Sequence, residues 1–537
     1  MKKIPAYEIA KNSLPLSEKV GQFFMPAAFI NDTEEDIQKL EKLIQKHDIG
    51  SLCFFHSKAS AATNYEGKKE VVYNKNSLET LRKLIERYQS AAKYPLLIAI
   101  DAEWGLAMRI ENTPQYPYAI TLGALQGNDQ LIYEVGKQIA KDCKAAGIHW
   151  NLAPCIDINN NPNNPVIGYR SFGENKMNVV EKALAFVKGT QSEGVLTSIK
   201  HFPGHGDTAT DSHLALPLID KSKEELVANE LYPFQKLIEE GVDSVMVGHL
   251  SVPALARGKM DSSSISKEII QGVLRDEMGF NGVVISDALN MHAVSKNHPG
   301  KGDLEWLAFD AGNDVLCFAE NIPEGIETIL KNASTDQIDE SFERFWRLKE
   351  RALQTLTTNS NLAMGKADTR PKPNLAHQLN RKIAGRSLTL LTGDPLAISK
   401  FFSLNFTGVK NSYTIENQFF NLIQEYKKFT SKAIGETLDK NEENVLLALF
   451  PPQVKPANNF GIPQKEIDLI NELLQTRKVV LYLFGNPYVL NHLSIEKAIA
   501  VVVVYQNFTE FQEVAANHFR GKIKASGKLA VSIVQTT

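Results

Sequence analysis

The stretch Ser198–Pro217 reads S-I-K-H-F-P-G-H-G-D-T-A-T-D-S-H-L-A-L-P. It leaves an apolar run, Thr197–Phe202, and becomes a loop at Pro203, Gly204 and Gly206, because these residues rule out a continuous helix or strand. Into that turn are packed Lys200, His201, His205, Asp207, Asp211 and His213. A strand whose far end is crowded with ionisable groups suits a fold that carries its chemistry on the loops after its strands.

Outward from this stretch the same unit repeats. The apolar runs Gln22–Phe29, Gly50–Phe55, Leu96–Asp101, His149–Ile158, Thr197–Phe202, Ser244–Leu250, Gly282–Ala288 and Asp314–Ala319 read as strands. Between them, Glu34–His47, Ser77–Ala92, Asp129–Ala146, Asn178–Ser192, Lys223–Glu240 and Lys267–Met278 carry apolar residues at helical spacing. Strand and helix in alternation predict an α/β protein with a parallel sheet, and eight such strands predict a (β/α)8 barrel of the TIM type over residues 1–356. The rival, an open doubly wound sheet, more often carries a glycine-rich phosphate turn after its first strand, and this chain has none. Asp101, Asp157, Lys200 with His201, His249 and Asp287 each close an apolar run, so the barrel reading gathers them on one rim.

After a helical pattern at Gln337–Leu356, the polar, proline-bearing stretch 357–374 reads as a linker. The runs Leu388–Leu391, Val445–Phe450, Val479–Phe484, Ala500–Tyr505 and Leu529–Ile533 then predict a second α/β domain over 375–537. Its sequence holds no comparable cluster of acids and histidines.

Composition narrows the partners. Fifty-nine Lys and Arg stand against 62 Asp and Glu, so no large field draws the chain to nucleic acid or an anionic membrane. Hydrophobic residues at 43% and charged residues at 23% are those of a globular protein. Cys53, Cys143, Cys155 and Cys317 form no C-x-x-C pair and lie mostly in apolar runs, which predicts buried free thiols in a reducing compartment. The N-terminal residues lack an apolar segment of signal-peptide length, and no later run approaches a membrane span. The expected location is cytoplasmic.

Two groupings bear on chemistry. Asp287 follows the strand Val283–Ile285, where a carboxylate either caps the next helix or takes part in a reaction. In Asp211-Ser212-His213 the first and third side chains share a face if the chain is extended, so the carboxylate can orient the imidazole as a proton shuttle; a chance neighbourhood is the plainer alternative. The same loop offers metal-ligand types, but its spacing follows no zinc pattern and Lys200 beside His201 opposes a cation. No metal or cofactor is therefore expected. Acyl transfer by a Ser-His-Asp set is disfavoured too, since the chain has no G-x-S-x-G elbow.

Lys200–Pro217, K-H-F-P-G-H-G-D-T-x-x-D-S-H-L-x-L-P, resembles the signature of glycoside hydrolase family 3 in its β-N-acetylglucosaminidase branch. S-D-A-L-N-M at Ser286–Met291 resembles that family's nucleophile motif, and Asn151–Ile158, Ile167–Gly173 and Met246–Leu250 match further runs in the family's order. The resemblance implies a retaining exo-glycosidase in which Asp287 attacks the anomeric carbon while His213, held by Asp211, is acid and then base. It also implies that Asp101, Arg109, Arg170, Lys200 and His201 bind the hydroxyls of a terminal N-acetylglucosamine. The implied substrates are N-acetylglucosaminyl muropeptides or chitooligosaccharides, with cell-wall recycling as the role. A β-glucosidase or an N-acetylglucosaminide phosphorylase on the same scaffold is the alternative, and the second domain resembles the family's α/β sandwich. One motif departs: where the family commonly has D-Q-E-G-G-R-V-Q-R, this chain has D-A-E-W-G-L-A-M-R at Asp101–Arg109, so Trp104 either reshapes the neighbouring pocket or packs.

Overall fold

A computed structural model describes residues 2–56, 73–127, 129–208, 216–363, 373–413 and 418–533. By packing, the chain divides into two units. The first comprises 1–115, 133–158 and 183–373, and the second 116–132, 159–182 and 374–537.

The first unit is a barrel. Its strands are β1 (Phe24–Met25), β2 (Ala27–Phe29), β3 (Ser51–Phe55), β4 (Leu97–Ile100), β5 (Trp150–Asn151), β6 (Leu196–Phe202), β7 (Ser244–Val247), β8 (Val283–Ser286) and β9 (Leu316–Cys317). β2 to β8 pair in parallel in chain order. β1 and β2 are one staff interrupted at Pro26, and β1 pairs with β9 through Leu316 N–H to Phe23 O (2.8 Å) and Phe318 N–H to Met25 O (2.8 Å). β9 meets β8 through the Ile285–Val315 bridge, and Ser286 N–H donates to Val315 O at 3.0 Å. These bonds close the ring, and all eight expected runs supply a staff.

The runs read as continuous apolar sequence because both faces of each strand are buried. Leu97 and Ala99 point into the barrel with Met25, Cys53, Trp150, Leu196, Met246, Val283, Ile285 and Cys317, while Ile98 and Ile100 are buried on the other face. The four cysteines are buried free thiols. The helix Thr335–Ala363 adds Phe345, Leu348 and Ala352 to the same core. It runs seven residues into the stretch expected to be linker, whose part 364–372 lies outside the described residues. One expected helix, Lys223–Glu240, is two, Lys223–Ala228 and Tyr232–Glu239, because Pro233 has no N–H for a preceding turn and starts a new helix.

Lys349, on the long helix, is fully buried and donates to Gln22 Oε1 (2.7 Å) and Gly50 O (3.0 Å). Burial pulls its ammonium down to about 7. A base with a depressed folded value binds fewer protons folded than unfolded between that value and the ordinary 10.5. Stability should therefore rise with pH over that window, and Lys349→Met should flatten the rise in urea unfolding measured from pH 7 to 10.

The second unit is a smaller α/β sandwich. Its strands β10 (Thr389–Thr392), β11 (Thr407–Lys410), β12 (Ser431–Ala433), β13 (Asn444–Leu449), β14 (Lys478–Leu483) and β15 (Ala500–Val503) stand in the order β10-β15-β14-β13-β11-β12. β10 alone runs antiparallel to its neighbour. Ile120 and Ala124 join the core formed by Val445, Leu447, Leu481 and Val501, and Asn159 Nδ2 donates to Tyr488 Oη at 2.8 Å. The expected strand Leu529–Ile533 is no strand: Ala530 O accepts from Glu174 N–H at 3.0 Å, and Ser532 N–H donates to Glu174 Oε2 at 2.8 Å, so its hydrogen bonds go to a loop instead of a sheet edge.

Candidate active site

Lys200 lies on β6 with a side chain only 2% exposed, in a place where an unpaired ammonium would be costly. Its Nζ meets Asp101 Oδ1 at 2.8 Å and Glu103 Oε1 at 2.9 Å. Asp101, one residue past β4, takes Arg109 Nη2 on its other oxygen at 2.8 Å. Burial alone would push the Asp101 carboxyl up; the charges of Lys200 and Arg109 overcome this and hold it well below the usual aspartate range. The Arg109 guanidinium also lies over the Phe55 ring, 5.1 Å from its centre, and its buried Nε has no hydrogen-bond partner among the described residues. Two acids and two bases thus form one network spanning the C-terminal ends of β4 and β6. Glu103 was missed in the sequence, although a lysine buried beside one aspartate could have prompted a search for a second acid. Trp104, beside it, is half-buried.

A second network lies behind the first. Asp157 is 1% exposed, and its carboxylate accepts from His201 N–H (3.1 Å), His201 Nδ1–H (2.7 Å), His205 N–H (2.7 Å) and Cys155 Sγ–H (3.2 Å). The ion pair with His201 and the N–H of His205 hold Asp157 below its ordinary value against the upward push of burial. This fixes the His201 ring with Nδ1 protonated. Cys155, Asp157 and His201 offer donor atoms within 4.8 Å of one another. A cation there would have to displace protons already bonded to the carboxylate, so the set is a hydrogen-bond network.

Gly204 follows with φ +126°, where a Cβ would sit 2.9 Å from Glu230 Cβ; only glycine fits this turn. Lys221 Nζ bridges Asp207 and Glu230, the latter at 2.7 Å, and Ser251 N–H donates to Pro217 O at 2.8 Å. Both feet of the loop are therefore tied down. The expected pair Asp211 and His213 lies within 209–215, outside the described residues.

Asp287 follows β8, and its N–H donates to Val247 O at 2.9 Å. Its Oδ1 accepts from Ala288 N–H at 2.8 Å, and the residue is half-buried. His249, fully buried, donates from Nε2 to Ala288 O (2.9 Å) and accepts at Nδ1 from Ser264 Oγ (2.7 Å). It is thus committed to holding the Asp287–Ala288 turn, a role that strand-end position alone could not reveal. A hydrogen bond with Cys53 and burial push the Cys317 thiol well up, and the charges of Asp287 and Asp101 push the same way. Asp101, Arg109 and Lys200 are joined in one network, and His201 and Asp287 belong to the same first unit, whereas Arg170 sits in the turn Gly168–Arg170 of the second, with Nη1 on Val166 O at 3.4 Å.

Residues 15–348 match the family model for the glycosyl hydrolase family 3 N-terminal domain. The chain belongs to glycosyl hydrolase family 3. It is similar to beta-hexosaminidase A of Pseudoalteromonas piscicida, 35% identical over 52% of this chain and 47% of that protein. It is also similar to a beta-N-acetylglucosaminidase/beta-glucosidase of Cellulomonas fimi, 29% identical over 57% of this chain and 56% of the other. The chain thus spans about half the length of these two curated relatives. Among solved structures, a family 3 beta-N-acetylglucosaminidase from Paenibacillus sp. str. FPU-7 superposes with a TM-score of 0.76 at 26% identity, covering 98% of this chain and all of that one. Among the described residues no helix is long and apolar enough to cross a membrane.

Proposed function

We propose that this family 3 protein is a retaining exo-β-N-acetylglucosaminidase that removes terminal non-reducing N-acetylglucosamine, with peptidoglycan fragments as its substrate class and cell-wall recycling as its role. The observation that carries the reading is the Asp101–Lys200–Arg109 network at the strand ends, with Asp287 at the rim of the same barrel. Charged groups locked in place by one another are suited to bind vicinal hydroxyls, because they lose little side-chain entropy on doing so.

In this mechanism the hydroxyls are gripped by Asp101, Arg109, Lys200 and His201. Asp287 attacks the anomeric carbon and forms a glycosyl ester, and the leaving oxygen takes a proton from His213, oriented by Asp211. Water, deprotonated by the same imidazole, then cleaves the ester and releases the sugar with its β configuration retained. The His249 bond to Ala288 O would keep the nucleophile's turn in register.

A chromogenic N-acetyl-β-glucosaminide beside the matching β-glucoside tests this. The expected result is hydrolysis of the first, with kcat/KM for the glucoside lower by on the order of 100-fold. With phosphate in place of buffer, the expected product remains the free sugar; accumulation of a sugar 1-phosphate would move the protein to the phosphorylase reading, and equal rates on both glycosides would remove the acetamido preference.

A further inference from the structure

The second unit carries a groove of about 630 Å³, lined by Gln378, Arg381, Lys382 and Arg386 of the helix Pro373–Ser387 and by Ile523 and Lys524 of the irregular segment 522–526, among others. The four helix residues follow the spacing of one helix face over two turns, and all four are exposed, as is Lys524. Arg381 is ion-paired with Glu513. Lys382, Arg386 and Lys524 have no carboxylate partner among the described residues. This is more positive charge than the fold requires. A cation in the last turn of a helix is favourable, which accounts for Arg386. Lys382 lies a turn earlier and forms with Arg386 an i,i+4 pair of like charge, which destabilises a helix, and Lys524 comes from a different segment. In a chain with 62 Asp and Glu against 59 Lys and Arg, acids were available to neutralise these three and do not.

Charge and shape together narrow the ligand. Three unneutralised cations call for an anion of more than one charge, and a phosphate group brings about −1.5 to −2 with three acceptor oxygens, where a carboxylate brings one charge. A guanidinium takes two such oxygens in parallel. Lys382 and Arg386 stand about 6 Å apart along the helix axis, room for one phosphate bridging them or for two side by side. The volume is that of a pocket for a small organic molecule. An anionic membrane would instead ask for large apolar side chains beside the cations, ready to enter the lipid, and Ile523, half-buried, is the one such side chain in the lining. We propose that this groove binds a soluble organic phosphate, its oxygens on Lys382, Arg386 and Lys524 and its organic body over Ile523. The inference does not depend on the reaction proposed above.

The test is isothermal titration calorimetry of the full chain at pH 7.5 in 150 mM NaCl, with pyrophosphate and glucose 6-phosphate as probes and citrate as a polyanion without phosphate. At least one phosphate probe is expected to bind with Kd on the order of 0.1 mM, and citrate about tenfold more weakly or worse. The double variant Lys382→Gln, Arg386→Gln should weaken binding by about 20-fold or more, and Lys524→Gln severalfold. All three side chains are exposed, so the variants should fold as the wild type does. Binding of glucose 6-phosphate alone identifies a sugar phosphate, and binding of pyrophosphate alone a diphosphate. Silence with both probes, citrate binding as tightly as they do, or an affinity unchanged in the double variant overturns the proposal. The full chain should also stay in solution with vesicles of phosphatidylcholine and phosphatidylglycerol; capture by those vesicles without binding of either soluble probe overturns it in favour of a membrane surface.

Discussion

Asp287→Asn is expected to lower kcat on an aryl N-acetyl-β-glucosaminide by on the order of 10⁴-fold or more while leaving the folded protein intact. The Ala288 N–H that Oδ1 accepts can be met equally by an amide oxygen, so that bond survives the change. His213→Ala should behave differently. A nitrophenolate leaves with little protonation, so the variant should retain a larger share of activity on that glycoside and lose more on a disaccharide whose leaving alcohol needs a proton. The measurement is kcat for both variants across leaving groups of graded acidity. A steep dependence for His213→Ala beside a flat one for Asp287→Asn matches an acid and a nucleophile. Equal losses for both, independent of the leaving group, would remove those roles.

Much of the barrel was legible because its signal is physical and local. A strand covered on both faces must be apolar throughout, and the chain shows eight such runs where the ring has eight staffs. The second unit was less legible at its margins. T-G-V-K at Thr407–Lys410 and S-K-A at Ser431–Ala433 are short and partly polar, and β12 lies at the sheet's edge, where one side of the strand has no partner to satisfy. Leu529–Ile533 has the alternation of a strand, yet its hydrogen bonds go to Glu174; alternation reports burial of one face and says nothing about the partner. At the site, Asp101, Lys200 and Asp287 could be placed on one rim from strand ends alone. That Glu103 shares Lys200, that Asp157 holds His201 and that His249 supports Ala288 depends on how the strands are arranged around the ring, which no single run encodes.

Lys200→Met should be the most damaging change to folding in this network. It removes the cation shared by two carboxylates in a place only 2% exposed; Arg109 continues to hold one oxygen of Asp101, while Glu103 loses its ion pair with Lys200. Breaking a buried pair from one side typically costs about 3–5 kcal/mol, since the remaining charge stays buried. The pH dependence distinguishes this cause from lost packing. In the wild type the Asp101 carboxyl is held below its ordinary value, so its contribution is fully present above that value and is lost as pH falls through the lower folded one. Without Lys200 the carboxyl rises and acid protonates it, which relieves the uncompensated charge. Urea unfolding of wild type and variant should therefore show the largest deficit near pH 7 and a smaller one toward pH 4, where a deficit from a mere cavity would stay constant. A constant deficit would mean that the lysine's stem, and not its charge, is what the site requires.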